Sequence, residues 1–158
     1  MAVFKNRNGV EFVVSLDAPK IRAVRQAYNV DLASGELTDY AKIAGDPVLL
    51  VDILWELCRQ DASARNITPE QFGSAISGDA WQSAVDALED AIADFFPSDR
   101  ANVLRQVYQT NREGRRAAAQ LATEKIADPK IRDAMMAKVR ADLDEAMRSA
   151  FATDSQAS

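Results

Sequence analysis

The first sixteen residues alternate between apolar and polar side chains, which is the pattern of a β-strand with one buried face. Apolar residues recur at every second position from Val10 to Leu16, directly after the turn dipeptide Asn8-Gly9. Asn-Gly between alternating segments is a strong signal for a β-hairpin. Because an isolated two-stranded hairpin is only marginally stable in water, we expect this one to pack on the helix that follows.

From residue 17 onward, the apolar positions follow the three- and four-residue spacing of α-helices. Asp17 and Pro19 are typical of a helix N-cap and a first helical turn, and they predict a helix over 18–28. A second, short helix is predicted over 36–44, with Gly45 ending it.

The most apolar helix is predicted to begin at Asp46-Pro47, another pairing of cap residue and first-turn proline. Between Val48 and Cys58, apolar side chains cover nearly the whole circumference of this helix. A helix that is apolar on all sides is buried or contacts a partner. We therefore expect it at the centre of the core, with part of one face left for another protein.

Two further helices follow the central one. Thr68 and Gln71 have the spacing of a capping box and predict a short helix through Ile76. Asp79 begins a longer helix whose apolar residues recur as far as Phe96. The outer face of this helix is predicted to carry the carboxylates of Asp86, Glu89, Asp90 and Asp94.

The pattern of the C-terminal third predicts helices with few apolar residues. Pro97-Ser98 predicts a boundary and a new cap, and a thinly apolar helical pattern runs over 99–127. Asp128-Pro129 restarts the helix. The second segment carries an interrupted apolar stripe of Ile131, Met135, Val139, Leu143, Met147 and Phe151.

Together these segments predict a mainly α protein. A β-hairpin packed on a small helical core is expected over 1–97, a C-terminal helical arm or helical hairpin over 98–152, and a flexible polar tail over 153–158. With 158 residues, 47% of them apolar, the chain is long enough for one modest domain with a real core.

The net charge of −5 is unevenly distributed along the chain. Residues 46–97 carry ten carboxylates and two cations, whereas residues 98–158 carry eleven cations and nine carboxylates. An acidic body is therefore followed by a slightly basic arm. Such asymmetry is compatible with a solvated helix face, docking within the chain, protein partners or nucleic acid.

The sequence lacks most of the residues and motifs that enzymes use in catalysis. The chain has no histidine, and its sequence contains neither a glycine-rich phosphate loop nor a nucleophile–base pattern. The carboxylates lack the spacing of a calcium loop. We therefore expect no enzyme activity, no metal and no cofactor, and we expect Cys58, inside the apolar run, to be a buried and unreactive thiol.

No segment approaches the roughly 18 to 20 apolar residues needed to cross a bilayer, and the N-terminus has no pairing of a basic region with an apolar stretch. The sequence therefore predicts a cytoplasmic protein that does not contact membranes.

The succession of segments resembles the small tail assembly chaperone-like proteins of long-tailed bacteriophages and prophages. The resemblance covers residues 3–97 well and the arm more loosely. It is carried by the ribbon with Asn8-Gly9 and, in order, by residues 28–32, 46–55, 69–73, 78–80 and 94–97.

This resemblance implies a non-enzymatic helper in the bacterial host cytoplasm that is absent from the mature virion. Such proteins hold the long helical tape measure protein soluble and help to recruit tail tube subunits. The exposed apolar stripes of a tape measure helix would pack on an apolar surface of this chain. The candidate binding residues are Leu49, Leu54, Trp55, Phe72 and Trp81.

Two other classes of function stay open. A minor virion or connector protein would use the arm in ring assembly. A nucleic-acid-binding module would use the arginines after Pro97, although the sequence pI of about 4.8 argues against nucleic acid. Its contact face would consist of Arg105, Arg112, Arg115 and Arg116. Self-association into a homo-oligomer also stays open.

Overall fold

A computed structural model of the chain describes residues 2–34 and 37–154. Within them, two strands are followed by seven helices, which confirms the expected mainly α fold with an N-terminal hairpin. The elements are β1 (Ala2–Lys5), β2 (Glu11–Val14), α1 (Ala18–Tyr28), α2 (Leu37–Gly45), α3 (Pro47–Ala64), α4 (Pro69–Ser74), α5 (Asp79–Phe95), α6 (Ser98–Ala127) and α7 (Pro129–Asp154).

The chain divides into two compact units, unit 1 over residues 1–109 and unit 2 over residues 110–158. The division lies inside α6, not at Pro97 where the sequence placed it. Ala101, Leu104 and Tyr108, in the first turns of α6, are buried members of unit 1. Burial of these side chains extends the domain beyond Pro97, the residue that precedes α6.

The hairpin pairs β1 with β2 in antiparallel register, with Phe4 opposite Phe12. The turn is a three-residue loop rather than a two-residue one. The Asn6 carbonyl accepts from Gly9 N at 2.9 Å, and the Asn6 side chain accepts from the amides of Asn8 and Val10. Gly9 has φ of +78°, the left-handed conformation that follows a type I turn in such loops.

The starts of α1, α3 and α4 follow the local chemistry that the sequence indicated, whereas Ser98, predicted as a cap, is the first residue of α6. Asp17 caps α1 by accepting from Lys20 N at 2.8 Å, and Asp46 caps α3 by accepting from Val48 N and Leu49 N. At α4, the Thr68 hydroxyl accepts from Gln71 N while the Gln71 side chain accepts from Thr68 N. This reciprocal pair is the predicted capping box.

The hairpin and α3 lie at the centre of unit 1, and the other elements of its core pack around them. Strand β1 lies against α5, and β2 lies against α3, which also contacts α1, α2 and α4. Four ring pairs connect these layers: Phe4–Phe12 at 5.5 Å between centroids, Phe12–Phe72 at 5.0 Å, Phe4–Phe72 at 6.3 Å and Trp55–Phe72 at 5.5 Å. The central position predicted for α3 is confirmed.

Two side chains at the C-terminal end of α3 provide hydrogen-bond partners for the outer edge of β2. Arg65, which follows the last residue of α3, donates to the Glu11 carbonyl at 2.8 Å, and its guanidinium lies 5.4 Å from the Phe12 ring centroid. The Cys58 thiol donates to the Val13 carbonyl at 3.8 Å. Because these carbonyls point away from β1, the two side chains supply partners that a third strand would otherwise provide.

One predicted surface residue is inside the core. Glu89 was expected on the outer face of α5 with the other carboxylates, but its side chain is 0% exposed. Its Oε1 accepts a hydrogen bond from the Tyr40 hydroxyl on α2. This long-range partner stabilises a carboxylate that the helical pattern of α5 alone places in solvent.

Unit 2 consists of the later part of α6 and of α7. All described side chains over 117–148 are exposed, so the two helices bury no common core there, and the described part is an arm rather than a packed helical hairpin. Asp128 restarts the helix as predicted, with its carboxylate accepting from Lys130 N at 2.9 Å. Thr153 and Asp154, expected in the tail, belong to α7, and residues 155–158 lie outside the described residues.

Candidate functional site

The five residues predicted to bind a partner separate into two groups. Leu54 and Phe72 are buried in the core, with 0% and 1% of their surface exposed. They are not available to a partner in this structure, because they form the layer beneath the surface. Leu49, Trp55 and Trp81 are half-buried, so each has part of its side chain in solvent.

The outward side of α3 carries an apolar surface that we call the α3 surface, formed by Val48, Val51 and Trp55. These residues share one side of the helix because they lie three and four positions apart. Val48 is 69% exposed, whereas Val51 and Trp55 are half-buried. The Trp55 ring lies edge-on against buried Phe72, so the core holds its indole in place.

Charged side chains lie beside the α3 surface. Asp52 and Glu56 are half-buried on the same helix, and Glu56 pairs with exposed Arg59 at 3.4 Å. Burial raises the pKa of Tyr28 on α1, and the charges of Asp52 and Glu56 raise it further. An apolar strip with carboxylates at its border is an arrangement suited to a helix that carries both apolar and basic positions.

Buried Glu89 belongs to a cluster with two tyrosines. The Tyr40 and Tyr108 rings lie 5.4 Å apart between centroids, and burial together with the Glu89 charge raises the pKa of Tyr108 to about 12. The adjoining cavity, lined in part by Asp31 and Asp39, has a volume of about 20 Å³. Because ligand pockets usually measure about 300 to 1,000 Å³, this cavity is suited to a water molecule and not to a metabolite.

The Cys58 thiol is buried, and burial raises its pKa to about 12. A thiol with this pKa is almost fully protonated at neutral pH and is a poor nucleophile. Within residues 2–34 and 37–154, no group of three or more carboxylate, thiol or imidazole side chains is placed to hold a metal ion.

The four arginines of the predicted basic face differ in their surroundings. Arg105 belongs to unit 1 and donates to Asp94 Oδ1 at 2.7 Å, which lowers the pKa of that carboxyl. Arg112, Arg115 and Arg116 belong to unit 2, where Arg112 and Arg115 are half-buried and Arg116 is exposed. Pairing with Asp94 offsets the charge that Arg105 would offer to a phosphate.

None of the candidate binding residues named from the sequence lies on α7, yet this helix carries large exposed apolar residues. Ile131, Met135, Val139, Leu143 and Met147 are between 38% and 57% exposed. Phe151, the last residue of the predicted stripe, has a side chain outside the described part of the structure. The four-residue spacing was visible in the sequence, but the exposure of these side chains is seen only in the structure.

Of the helices in the described part of the chain, none has both the length and the apolar content required to cross a bilayer. Comparisons of the chain with protein-family models, curated proteins and solved structures found no match.

Proposed function

We propose that this chain is a non-enzymatic chaperone of phage tail assembly that binds the tape measure protein and tail tube subunits in the host cytoplasm. It leaves before the virion is complete. The proposal is supported by the resemblance over residues 3–97 to tail assembly chaperone-like proteins. The structural observation that supports it most is the α3 surface, where half-buried Trp55 on Phe72 lies beside exposed Val48.

The α3 surface has the properties of a docking site for an amphipathic helix. A tryptophan whose ring is held by the core loses little side-chain freedom when a partner covers it, which favours binding. Val48 and Val51 extend the apolar contact along α3. A client helix with a stripe at i, i+3 and i+4 would place its apolar residues on this strip.

The acidic residues around the α3 surface also suit a chaperone. Asp52 and Glu56 border the strip, and the chain carries a net charge of −5. A net charge well away from zero keeps a complex soluble while apolar surfaces are being covered and released. The same charges disfavour nonspecific binding to nucleic acid.

Co-expression with the long helical protein encoded beside this chain tests the proposal. The wild-type chain should raise the soluble fraction of that protein and co-elute with it on a sizing column. Val48→Asp should abolish both effects, because it places a charge in the α3 surface. The substitution should leave the fold intact, since Val48 is exposed and an acidic residue in the first turn of a helix is favourable.

Val103→Asp is the matched control. Val103 is a 60% exposed valine on α6 in unit 1, outside the α3 surface, so this variant should behave as the wild type. Failure of the wild-type chain to solubilise or co-elute with the long helical protein would overturn the proposal. Equal loss of binding in both variants would show that the α3 surface is not the binding site.

Two further measurements separate the alternatives. Mass spectrometry of purified particles should find the chain depleted, whereas stoichiometric amounts would assign it to the virion. Retention on DNA should be weak at low salt and unaffected by Arg112→Gln, Arg115→Gln and Arg116→Gln together. A steep salt dependence that disappears in this triple variant would instead favour nucleic-acid binding.

A further inference from the structure

The apolar residues of α7 form a second exposed apolar surface, which belongs to unit 2 and not to unit 1. Ile131, Met135, Val139, Leu143 and Met147 recur every four residues, and Met136, 51% exposed, lies beside them. At a rise of about 1.5 Å per residue, this row extends for roughly 24 Å along the helix. An exposed apolar row of this length is characteristic of a surface that another helix covers.

The charges of α7 are separated along its length. Residues 129–140 carry four cations and one carboxylate, whereas residues 141–148 carry three carboxylates and one cation. The first turn contains no acidic residue, and the last turn contains no basic residue. This arrangement opposes the helix dipole, which favours acidic side chains near the N-terminus and basic ones near the C-terminus. The pattern therefore does not stabilise α7 as an isolated helix.

We infer that α7 pairs in antiparallel orientation with α7 of a second copy of this chain. Antiparallel pairing places the basic half of each helix beside the acidic half of the other, so the charges that oppose the dipole are compensated between the two chains. The same row of Met135, Val139 and Leu143 supplies the apolar contact from both sides. One sequence thus provides both faces of a two-fold interface.

Antiparallel pairing of two copies fits this surface better than parallel pairing would. Parallel pairing would place Lys130, Arg132, Lys138 and Arg140 beside their own equivalents. Like charges held next to each other disfavour that arrangement. The interface lies on α7, whereas the α3 surface lies in unit 1, so this inference does not depend on the proposed function.

Sedimentation equilibrium of the full chain over a hundredfold range of concentration at low salt tests self-association. The apparent mass should rise from 17.3 kDa toward twice that value. Leu143→Asp should weaken association at least tenfold, whereas Leu121→Asp should not change it. These two leucines are matched, being 55% and 57% exposed on α7 and α6 respectively. A monomer at all concentrations, or a dimer that Leu143→Asp leaves unchanged, would overturn the inference.

Charge exchange tests the electrostatic part. One variant changes the acidic half with Asp142→Lys, Asp144→Lys and Glu145→Lys, and a second changes the basic half with Lys130→Glu, Arg132→Glu, Lys138→Glu and Arg140→Glu. Each variant alone should associate at least tenfold more weakly than the wild type, and an equimolar mixture should form dimers again. Absence of this rescue, with helical content unchanged by circular dichroism, would overturn the charge-complementary pairing.

Orientation is tested with a new thiol. Ile131→Cys should give little disulfide-linked dimer on mild oxidation, because antiparallel pairing places the two copies of residue 131 at opposite ends of the interface. Ile131→Cys mixed with Met147→Cys should give a linked heterodimer, because these residues are the two ends of the apolar row. Native Cys58 is buried and should not compete. Efficient linkage of Ile131→Cys to itself would contradict the antiparallel arrangement. If the chain stays monomeric and Leu143→Asp instead abolishes co-elution with the tape measure protein, α7 binds that client and not a second copy.

Discussion

Units 1 and 2 both contain apolar residues at helical spacing, but among the side chains that the structure describes only those of unit 1 are buried against one another. Leu54 on α3 is 0% exposed, whereas Leu143 on α7 is 55% exposed. In unit 1 the hairpin and α4 meet through Phe4, Phe12 and Phe72. Periodicity therefore predicts which residues share a helix face, while burial of that face depends on elements that are distant in sequence.

Matched leucine truncations should separate the two units most clearly. Leu54→Ala should lower the free energy of unfolding by about 2 to 5 kcal/mol, because it leaves a cavity in a packed core. Leu143→Ala should change it by less than about 0.5 kcal/mol at concentrations where the chain is monomeric.

Urea unfolding followed by far-UV circular dichroism measures both leucine variants, and tryptophan fluorescence follows unit 1 alone through Trp55 and Trp81. Equal losses in the two variants would mean that α7 is packed as tightly as α3, and the comparison between the units would fail.

The buried cluster of unit 1 should respond to the loss of one hydroxyl. Tyr40→Phe should lower the free energy of unfolding by about 1 to 3 kcal/mol, because Glu89 loses a buried hydrogen-bond donor. Tyr28→Phe, at a half-buried tyrosine outside this cluster, is the control and should cost less. Equal effects in chemical denaturation at pH 7 would indicate that the Tyr40–Glu89 contact does not contribute to stability.

Two glycines should respond in opposite directions to the same substitution. Gly9→Ala should destabilise unit 1 by about 1 kcal/mol, because Gly9 has φ of +78° although its surroundings are open. Gly114→Ala should stabilise the helix of unit 2 by about 0.4 to 1 kcal/mol, since the site is helical and a Cβ would meet nothing within 4 Å. Thermal unfolding by circular dichroism measures both, and shifts of the same sign would contradict this expectation.

The smallest expected effect concerns a surface ion pair. The hydrogen bond from Arg105 lowers the folded-state pKa of Asp94, so this pair contributes stability above the unfolded-state pKa of about 4. The contribution is lost as the pH falls through the lowered pKa. Arg105→Gln should therefore cost about 0.2 to 1 kcal/mol at pH 7 and progressively less below pH 4.

Chemical denaturation at a series of pH values measures the pH dependence. Arg116→Gln, on the exposed part of α6, should show no such dependence. A cost for Arg105→Gln that is constant from pH 7 down to the lowest pH at which the chain stays folded would show that Asp94 protonation is not involved.

Local chemistry made much of the fold predictable. Asp17, Asp46 and Thr68 each satisfy amides within three residues, so both partners of these three caps are close together in the sequence. Glu89 was misplaced because its partner Tyr40 lies 49 residues away, on an element whose position no periodic pattern specifies. The extent of unit 1 was missed for the same reason, since burial of Tyr108 depends on contacts beyond its own helix.

The candidate site was predictable only in part. The apolar run of α3 identified Trp55 and its neighbours, but a helix that is apolar on all sides does not reveal which side lacks a cover. Leu54 and Trp55 are adjacent in sequence, yet one is fully buried and the other half-buried. On α7, the spacing of Met135 and Val139 was clear in the sequence, but the exposure of their side chains was not.

Helix α6 continues through residues 109 and 110 without interruption, although the chain divides there. Leu104 and Tyr108 are buried near its start, whereas side chains from 117 onward are exposed. Backbone amides in a packed turn open to solvent only with the whole domain, while those in an unsupported turn open by local fraying. Deuterium exchange along this one helix should thus change from slow to fast, and the residue where it changes marks how far the packed core of unit 1 extends along α6.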